Sequence, residues 1–459
     1  MEQNMAVILA AGEGKRMKSR KSKVVHKIFG KSLIEWIYTS VKEAGIEESV
    51  VVVGHRSDQV IECMGDRVKY AEQKEQLGTG HAVMQAEKYF KDKEGYVLIL
   101  YGDTPLVTSK TLNDVIDYHK NNKCAATVIT AEVDDPTGYG RIIRDSNGDV
   151  IRIVEHKDAS PEEIAVKEIN SGMYCFTIEH LVKALRLLNN DNNQGEYYIT
   201  DTIGILVEMG LKVGALKISD SREILGINDR VQLFEASEII KARIMERLMK
   251  SGVTIIDPAS TYIDEGVEIG IDTVIYPGTI LEGNTRIGED CIIGPGSRLV
   301  NAVIGNGTEV NNSVILNSSV GNNTHVGPFA YIRPDSSIGD NVKIGDFVEV
   351  KKSIIGDKTK VSHLTYIGDA QVGRNVNVGC GVVTVNYDGK KKHKTIIGDN
   401  AFVGCNVNLV APVVVENDTY IAAGSTITDD VPQNSLAIAR ERQNIKEGWV
   451  IRKGMQRKE

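Results

Sequence analysis

Two sets of residues in the 459-residue chain have the types and spacing that chemistry requires. The first is Leu9-Ala10-Ala11-Gly12-Glu13-Gly14-Lys15-Arg16-Met17, a glycine-rich turn directly after an apolar run. Such a strand-to-helix turn wraps backbone N–H groups around phosphates. It lacks the third glycine of a dinucleotide-binding turn and has Arg16 beside it, so a dinucleotide site is a weak reading. The second set lies far along the chain. His363, Cys380, Cys405 and Ala423 each stand two residues after an aliphatic residue: Val361, Val378, Val403 and Ile421. His363 is the titratable group of that set suited to general base work near neutral pH. Arg333 and Lys351 directly follow Ile332 and Val350, which are 18 residues apart. Two cations at one register repel unless an anion or counter-charge joins them; two solvated surface charges are the plain alternative.

These spacings belong to a repeat. From Ile263 to Ile427, 27 positions holding Ile, Leu or Val recur every five or six residues, with one gap between Val378 and Ile397. Neither a helix nor a strand alternation has this period. A hexapeptide β-solenoid does, because each short strand points one aliphatic side chain into a narrow prism before a turn. Three hexads per coil give about nine coils. Residues at the same register then stack ~4.8 Å apart, so the His363–Ala423 column spans on the order of 15 Å, the length of an extended pantetheine arm. Tyr366 and Asn377 fall within a coil of His363. The interruption at 385–394 leaves the corner above the same region, and a loop extruded from so regular a repeat is usually functional.

Before the repeat, apolar runs such as Met5–Ala11, Val50–Val53 and Tyr96–Tyr101 read as buried parallel strands alternating with amphipathic stretches. Asn228-Asp229 caps a charged helical segment reaching about Lys250. The expected organisation is an α/β domain at 1–228, a connecting helix at 229–250, a β-helix at 251–436 and a basic tail at 437–459. Lys and Arg number 54 against 62 Asp and Glu, a net charge of −8 that argues against nucleic acid as a general partner. No apolar run reaches the ~18–20 residues of a membrane span. Six scattered cysteines without a Cys-x-x-Cys pair indicate neither a zinc site nor a disulfide framework, and point to a reduced cytoplasmic protein.

The Leu9–Met17 turn resembles that of sugar-phosphate nucleotidyltransferases. Lys23, Gln73, Gln76-Leu77-Gly78-Thr79-Gly80, Tyr101-Gly102-Asp103, Gly138-Tyr139-Gly140-Arg141, Glu155, Asn170 and Asn228 follow in that family's order. Ser22 stands where the family usually has Pro. The resemblance implies a Rossmann-like α/β nucleotidyltransferase fold. Leu9, Ala10, Ala11, Gly12, Lys23, Gln73, Gly78, Thr79, Tyr101, Gly102, Asp103, Gly140, Glu155, Asn170 and Asn228 would bind the nucleotide sugar. Attack on an α-phosphate builds negative charge that Arg16 and Lys23 would neutralise. Asp103 and Asn228 would supply the oxygens that Mg²⁺ prefers. Taken singly, Asp103 also reads as a turn residue and Asn228 as a helix cap.

The later residues resemble the acetyltransferase half of the bifunctional uridyltransferases/N-acetyltransferases that make UDP-N-acetylglucosamine, and the likeness covers essentially the whole chain. It implies a left-handed parallel β-helix. Arg333, Lys351, Tyr366 and Asn377 would bind glucosamine 1-phosphate, and His363 would be the base. Cys380, Asn386, Tyr387, Cys405, Ala423 and Arg440 would contact acetyl-CoA, with Ala and Ser common in the family at the two cysteine positions. UTP and acetyl-CoA would be co-substrates, in peptidoglycan synthesis. A homotrimer is implied, with Val300, Leu316 and Val410 as an apolar contact column. Two readings compete: a different sugar-phosphate nucleotidyltransferase with a regulatory β-helix, and a non-catalytic assembly subunit.

Overall fold

The computed structural model describes residues 3–457, and the tail residues Lys458 and Glu459 lie outside them. The chain divides into two compact units, Met1–Lys241 and Ala242–Glu459, with the division inside the helix Arg230–Lys250.

In the first unit, short and mostly apolar strands form a mixed sheet in the order Val213–Lys217, Ala126–Glu132, Glu168–Thr177, Gly95–Tyr101, Gln3–Ala10, Glu48–Val53 and Lys69–Glu72. Glu168–Thr177 runs antiparallel to its two neighbours, and the remaining pairs in this order are parallel. A hairpin, Arg141–Arg144 with Val150–Val154, joins at one side. Residues Ala6, Val7 and Ile8 are fully buried, and alternate residues of this strand serve separate clusters on the two faces of the sheet. That is why the strand reads as one continuous apolar run. From Gln3–Ala10 the chain pairs outward on one side, then returns as Gly95–Tyr101 on the other. The crevice at such a reversal, beyond the carboxyl ends of the strands, is where open α/β sheets bind ligands.

The second unit is a three-sided prism of parallel strands. Its three sheets hold eleven, ten and nine strands, two to four residues each. Strands Thr254–Ile255 and Leu436–Ala437 extend it slightly beyond the aliphatic series at either end. The eight residues from Ile255 to Ile263 break the hexad period, which hid the first rung. A second buried ladder runs beside the aliphatic one: Thr273, Thr279, Thr285, Ser297 and Thr308 are fully enclosed. Their hydroxyls satisfy backbone carbonyls, as where Thr308 donates to Gly321 at 2.6 Å. One branched side chain and one small one fill each strand, leaving no room for rings inside the prism. Apart from glycines, turns at left-handed φ are taken mostly by Asn and Asp, for example Asn301 and Asn317.

Ile367, fully buried on the coil between Lys351 and the excursion, tests this packing. Ile367→Ala is expected to cost about 3 kcal/mol. In a denaturant series the midpoint of the repeat region should fall while that of the first unit stays fixed.

Candidate active sites

The first site lies at the reversal point of the sheet. The Gly102 N–H donates to the Leu9 carbonyl at 2.9 Å, and the Ile227 N–H to the Asp103 carbonyl at 2.9 Å. These two bonds carry Asp103 and Asn228 to the mouth of the glycine-rich turn. Lys23 closes the group: its ammonium pairs with Asp103 and donates to Asn228 Oδ1 at 3.2 Å. Gly14 makes room for it, being left-handed at φ 62° with an added Cβ only 2.8 Å from Lys23 Cβ. Asn228 is not the helix cap. Asp229 takes that role, accepting from the N–H groups of Val231 and Gln232 at 2.9 Å each, which leaves the Asn228 carbonyl to face Lys23.

A cavity of about 280 Å³ is lined by Leu9, Ala10, Ala11, Gly12, Lys23, Gln73, Gly78, Thr79, Tyr101 and Asp103, with Gln76 of the matched segment also present and Glu196 not foreseen. Arg16 joins Tyr101, Asp103 and Asn228 around an adjoining cavity. Gln73 is buried and donates to the Gly78 carbonyl at 3.0 Å, fixing that loop. Gly140, Asn170 and Glu155 do not line either cavity. Gly140 accepts from the Asn170 N–H, and the Asn170 amide is engaged with Tyr174 and Gly172. Glu155 lines a separate acidic cavity with Asp158, Thr200 and Asp201. Burial raises the Tyr101 phenol well above its ordinary range and lifts the Glu155 carboxyl.

Ser22, the departure from the family pattern, sits at φ −55°, ψ 143°, a conformation that proline would also take. Its N–H donates to Gln59 Oε1 at 2.7 Å, a bond that proline could not make. The loop before Lys23 is held by this side chain instead of by a ring.

In the second unit the strand register follows the coil arithmetic. Val350 pairs with Ile332 and Ile367, and Val378 with Val361 and Val403. His363 and Cys405 are exposed and Cys380 partly so. His363 Nδ1 bonds to Asp346, its register partner on the preceding coil, which leaves Nε2 for a substrate. That bond holds the Asp346 carboxyl below its usual range. Arg333 donates to Glu349 at 2.8 Å and Lys351 to Asp369 at 2.8 Å, the counter-charges the stacked cations require. Asn386 donates to Asp369 and, at 3.3 Å, to the Tyr366 hydroxyl, tying the excursion to the coil.

The excursion is a braced hairpin in which Tyr387 bridges Lys392, and Asp388 accepts from Lys390, Lys391 and His393. It brings in a cation that sequence reasoning missed. Lys392 lies against Lys351, whose charge lowers its pKa, with Arg333 adding to the effect. Three cations therefore face two carboxylates, an excess suited to a phosphate. Asp346 was equally missed; its 17-residue offset from His363 is one coil and was the available signal. Arg440 sits over the corner next to Ala423, its Cδ 3.9 Å from where a Cβ on Gly424 would lie.

Fold and sites together define a nucleotidyltransferase joined to a hexapeptide-repeat transferase. The nucleotidyl transferase family matches residues 5–222, the bacterial transferase hexapeptide family (six repeats) 266–301, and the GMPPB C-terminal domain 317–419. The chain is 69% identical to the bifunctional protein GlmU of Acetivibrio thermocellus over the full length of both. It is 62% identical to that of Caldanaerobacter subterraneus subsp. tengcongensis and 59% to that of Thermoanaerobacter pseudethanolicus, over 99% of this chain and 100% of each relative. The chain belongs to the GlmU family, and its repeat unit is the left-handed β-helix of hexapeptide transferases. Among the described residues no helix is long and apolar enough to cross a membrane.

The acidic cavity yields a pH test. Burial, helped by Asp158, lifts Asp201 from 3.8 to about 6. A carboxyl raised in the folded state binds protons more readily there than in the unfolded chain. Stability from this group is therefore complete below about pH 4 and lost as pH rises towards 6. Solvent reaches Asp201, so screening leaves about 1 kcal/mol. Asp201→Asn is expected to raise the unfolding midpoint of the first unit at pH 7 and to flatten its change between pH 4 and 6.

Proposed function

We propose that the protein performs two consecutive transfers, one per unit. The repeat unit moves an acetyl group from acetyl-CoA to the amine of glucosamine 1-phosphate. The first unit then moves a uridylyl group from UTP to the N-acetylglucosamine 1-phosphate so formed, releasing pyrophosphate. The carrying observation is that one chain holds the Lys23–Asp103–Asn228 cluster at a sheet reversal and, on neighbouring coils of the repeat, both the His363–Asp346 pair and a group of three cations. A regulatory β-helix would need no such pair.

In the repeat unit Arg333, Lys351 and Lys392 take the sugar phosphate, while Tyr366 and Asn377 orient the ring. His363 Nε2 accepts the proton as the amine attacks the thioester carbonyl; the adduct then collapses with cleavage of the C–S bond, and the expelled coenzyme thiolate takes up that proton from the imidazolium. Asp346 keeps the other ring nitrogen protonated and stabilises the imidazolium. The coenzyme arm follows Cys380, Cys405 and Ala423, with Asn386, Tyr387 and Arg440 at its polar parts. In the first unit, N–H groups of the Leu9–Gly14 turn cradle phosphates, and Gln73, Gly78 and Thr79 border the base. Arg16 and Lys23 neutralise the five-coordinate phosphorus. Asp103 and Asn228 already direct two hard oxygens at one cation, the Lys23 ammonium, a donor set that fits Mg²⁺ with substrate phosphates completing its shell. Bound there, Mg²⁺ would offset phosphate charge. Gly140, Glu155 and Asn170 are assigned to nucleotide-sugar binding by family resemblance alone, since none of them lines either cavity, and the reaction is proposed to take place in the cytoplasm.

Both rates are measured on each variant. Asp103→Ala should abolish uridylyl transfer and leave acetyl transfer, and His363→Ala the reverse. Asp346→Asn should lower acetyl transfer by about tenfold or more with little change in KM. Loss of both reactions in either folded variant would reject separate sites.

We also propose a homotrimer built through the repeat units. Val300, Leu316 and Val410 are only partly exposed. A more open ladder lies at one corner, where Phe329, Phe347 and Leu364 are each more than half exposed on successive coils, the two rings stacked at 5.5 Å. All three hold left-handed φ, unusual for bulky residues. Leu316→Asp with Val410→Asp, and separately Phe347→Asp, should give monomers by sedimentation. A trimer surviving all of them would reject these contacts.

A further inference from the structure

Cys380 and Cys405 carry reactive groups that neither proposed transfer uses. Of the six cysteines, Cys124, Cys175 and Cys291 are buried, and burial raises the thiol pKa of the partly covered Cys63. Cys405 is exposed and Cys380 partly so. The two sit at one corner on adjacent coils. Gly379 N–H donates to the Val403 carbonyl at 2.8 Å and Asn406 N–H to the Cys380 carbonyl at 2.7 Å, so the backbones are in register on both sides of the pair. Their Cα atoms are then about 4.8 Å apart. That lies within the range of roughly 4.4–6.8 Å that a disulfide spans. Two side chains at one register leave a parallel ladder on the same side, so the sulfurs share an open face. Gly381, directly after Cys380, adds no side chain of its own beside the pair; the Asn406 amide lies next to it, and Arg440 reaches the following corner at Gly424.

We propose that Cys380 and Cys405 form a vicinal dithiol that exchanges with low-molecular-weight disulfides and closes to an intramolecular disulfide on the wall of the acetyl-donor groove. The effect on acetyl transfer rests on the reading of the His363–Ala423 column given above. In the first step one thiolate attacks a sulfur of RSSR, forming a mixed disulfide and releasing RS⁻. The second thiolate then attacks the cysteine sulfur of that mixed disulfide and expels the second RS⁻. Two cysteine thiols are oxidised, one external disulfide is reduced to two thiols, and the two cysteine protons pass to the released thiolates. A groove that seats the arm of a thioester also admits a disulfide of the same arm, so disulfides of pantetheine-type thiols are the fitting class of oxidant. The shortened sulfur pair replaces two separate thiols in the channel, and the donor no longer lies flat along it.

The full-length protein is incubated with hydroxyethyl disulfide or with the disulfide of coenzyme A, then mapped by peptide mass and assayed for both transfers. The expected result is a Cys380–Cys405 cross-link, seen as loss of two hydrogen masses. Most acetyl transfer should be lost and restored by dithiothreitol, while uridylyl transfer is untouched. Cys380→Ala and Cys405→Ser, each compared with its own untreated rate, should form no cross-link. Separate adducts on the two thiols, or none after prolonged exposure, would overturn the dithiol. A cross-link formed with acetyl transfer unchanged supports the dithiol and overturns the groove reading.

Discussion

The narrow interior of the prism is the constraint on which the second half of the chain depends. Each strand admits one branched aliphatic and one small residue, and neighbouring coils share a continuous ladder of backbone bonds. A slip of one residue would turn every aliphatic outward, so register is set anew at each coil. Accuracy at the surface follows from this. His363 meets Asp346, and Lys351 meets Asp369, because each pair is one coil apart at a corner whose backbone has no freedom. The excursion can leave and return without disturbing the coils around it, since each coil contacts only its neighbours.

The first unit works by another rule. Its three charged or polar partners come from a loop, a strand end and a helix approach, and they are joined by backbone bonds at two points only. Electrostatics completes what packing begins. Lys23 lies between a carboxylate and an amide oxygen with little exposure to water, so each partner holds the others in position. On the proposed reading, a phosphate entering this crevice would meet a Lys23 ammonium that is already placed by its counter-charge.

What could be read from the chain differs between the halves for the same reason. A one-dimensional repeat converts sequence separation into distance, so the stacking of Arg333 on Lys351, and of Cys380 on Cys405, followed from subtraction. The partners that escaped, Asp346, Glu349 and Asp369, lie in equally regular places, but acidic residues are common on solenoid corners and carry no distinguishing pattern. Lys392 escaped for a different cause, because an excursion has no register. In the first unit, motif order indicated which residues gather but not how. Whether Asn228 or Asp229 caps the helix depends on side-chain rotamers that adjacent, chemically similar residues leave undecided. The first rung at Thr254–Ile255 was lost to an eight-residue spacing that conceals its period.

The bond between the Ser22 amide and Gln59 has a consequence for the loop it anchors. A pyrrolidine ring restricts the backbone in the folded and unfolded chain alike, and it cannot let go. A hydrogen bond to a side chain from another helix opens and recloses, and it exists only once that helix is in place. In this chain the segment ahead of Lys23 is thus organised late and reversibly, by tertiary contact. The exchange of one buried amide proton with water becomes the natural clock for how often the loop that carries Lys23 is released.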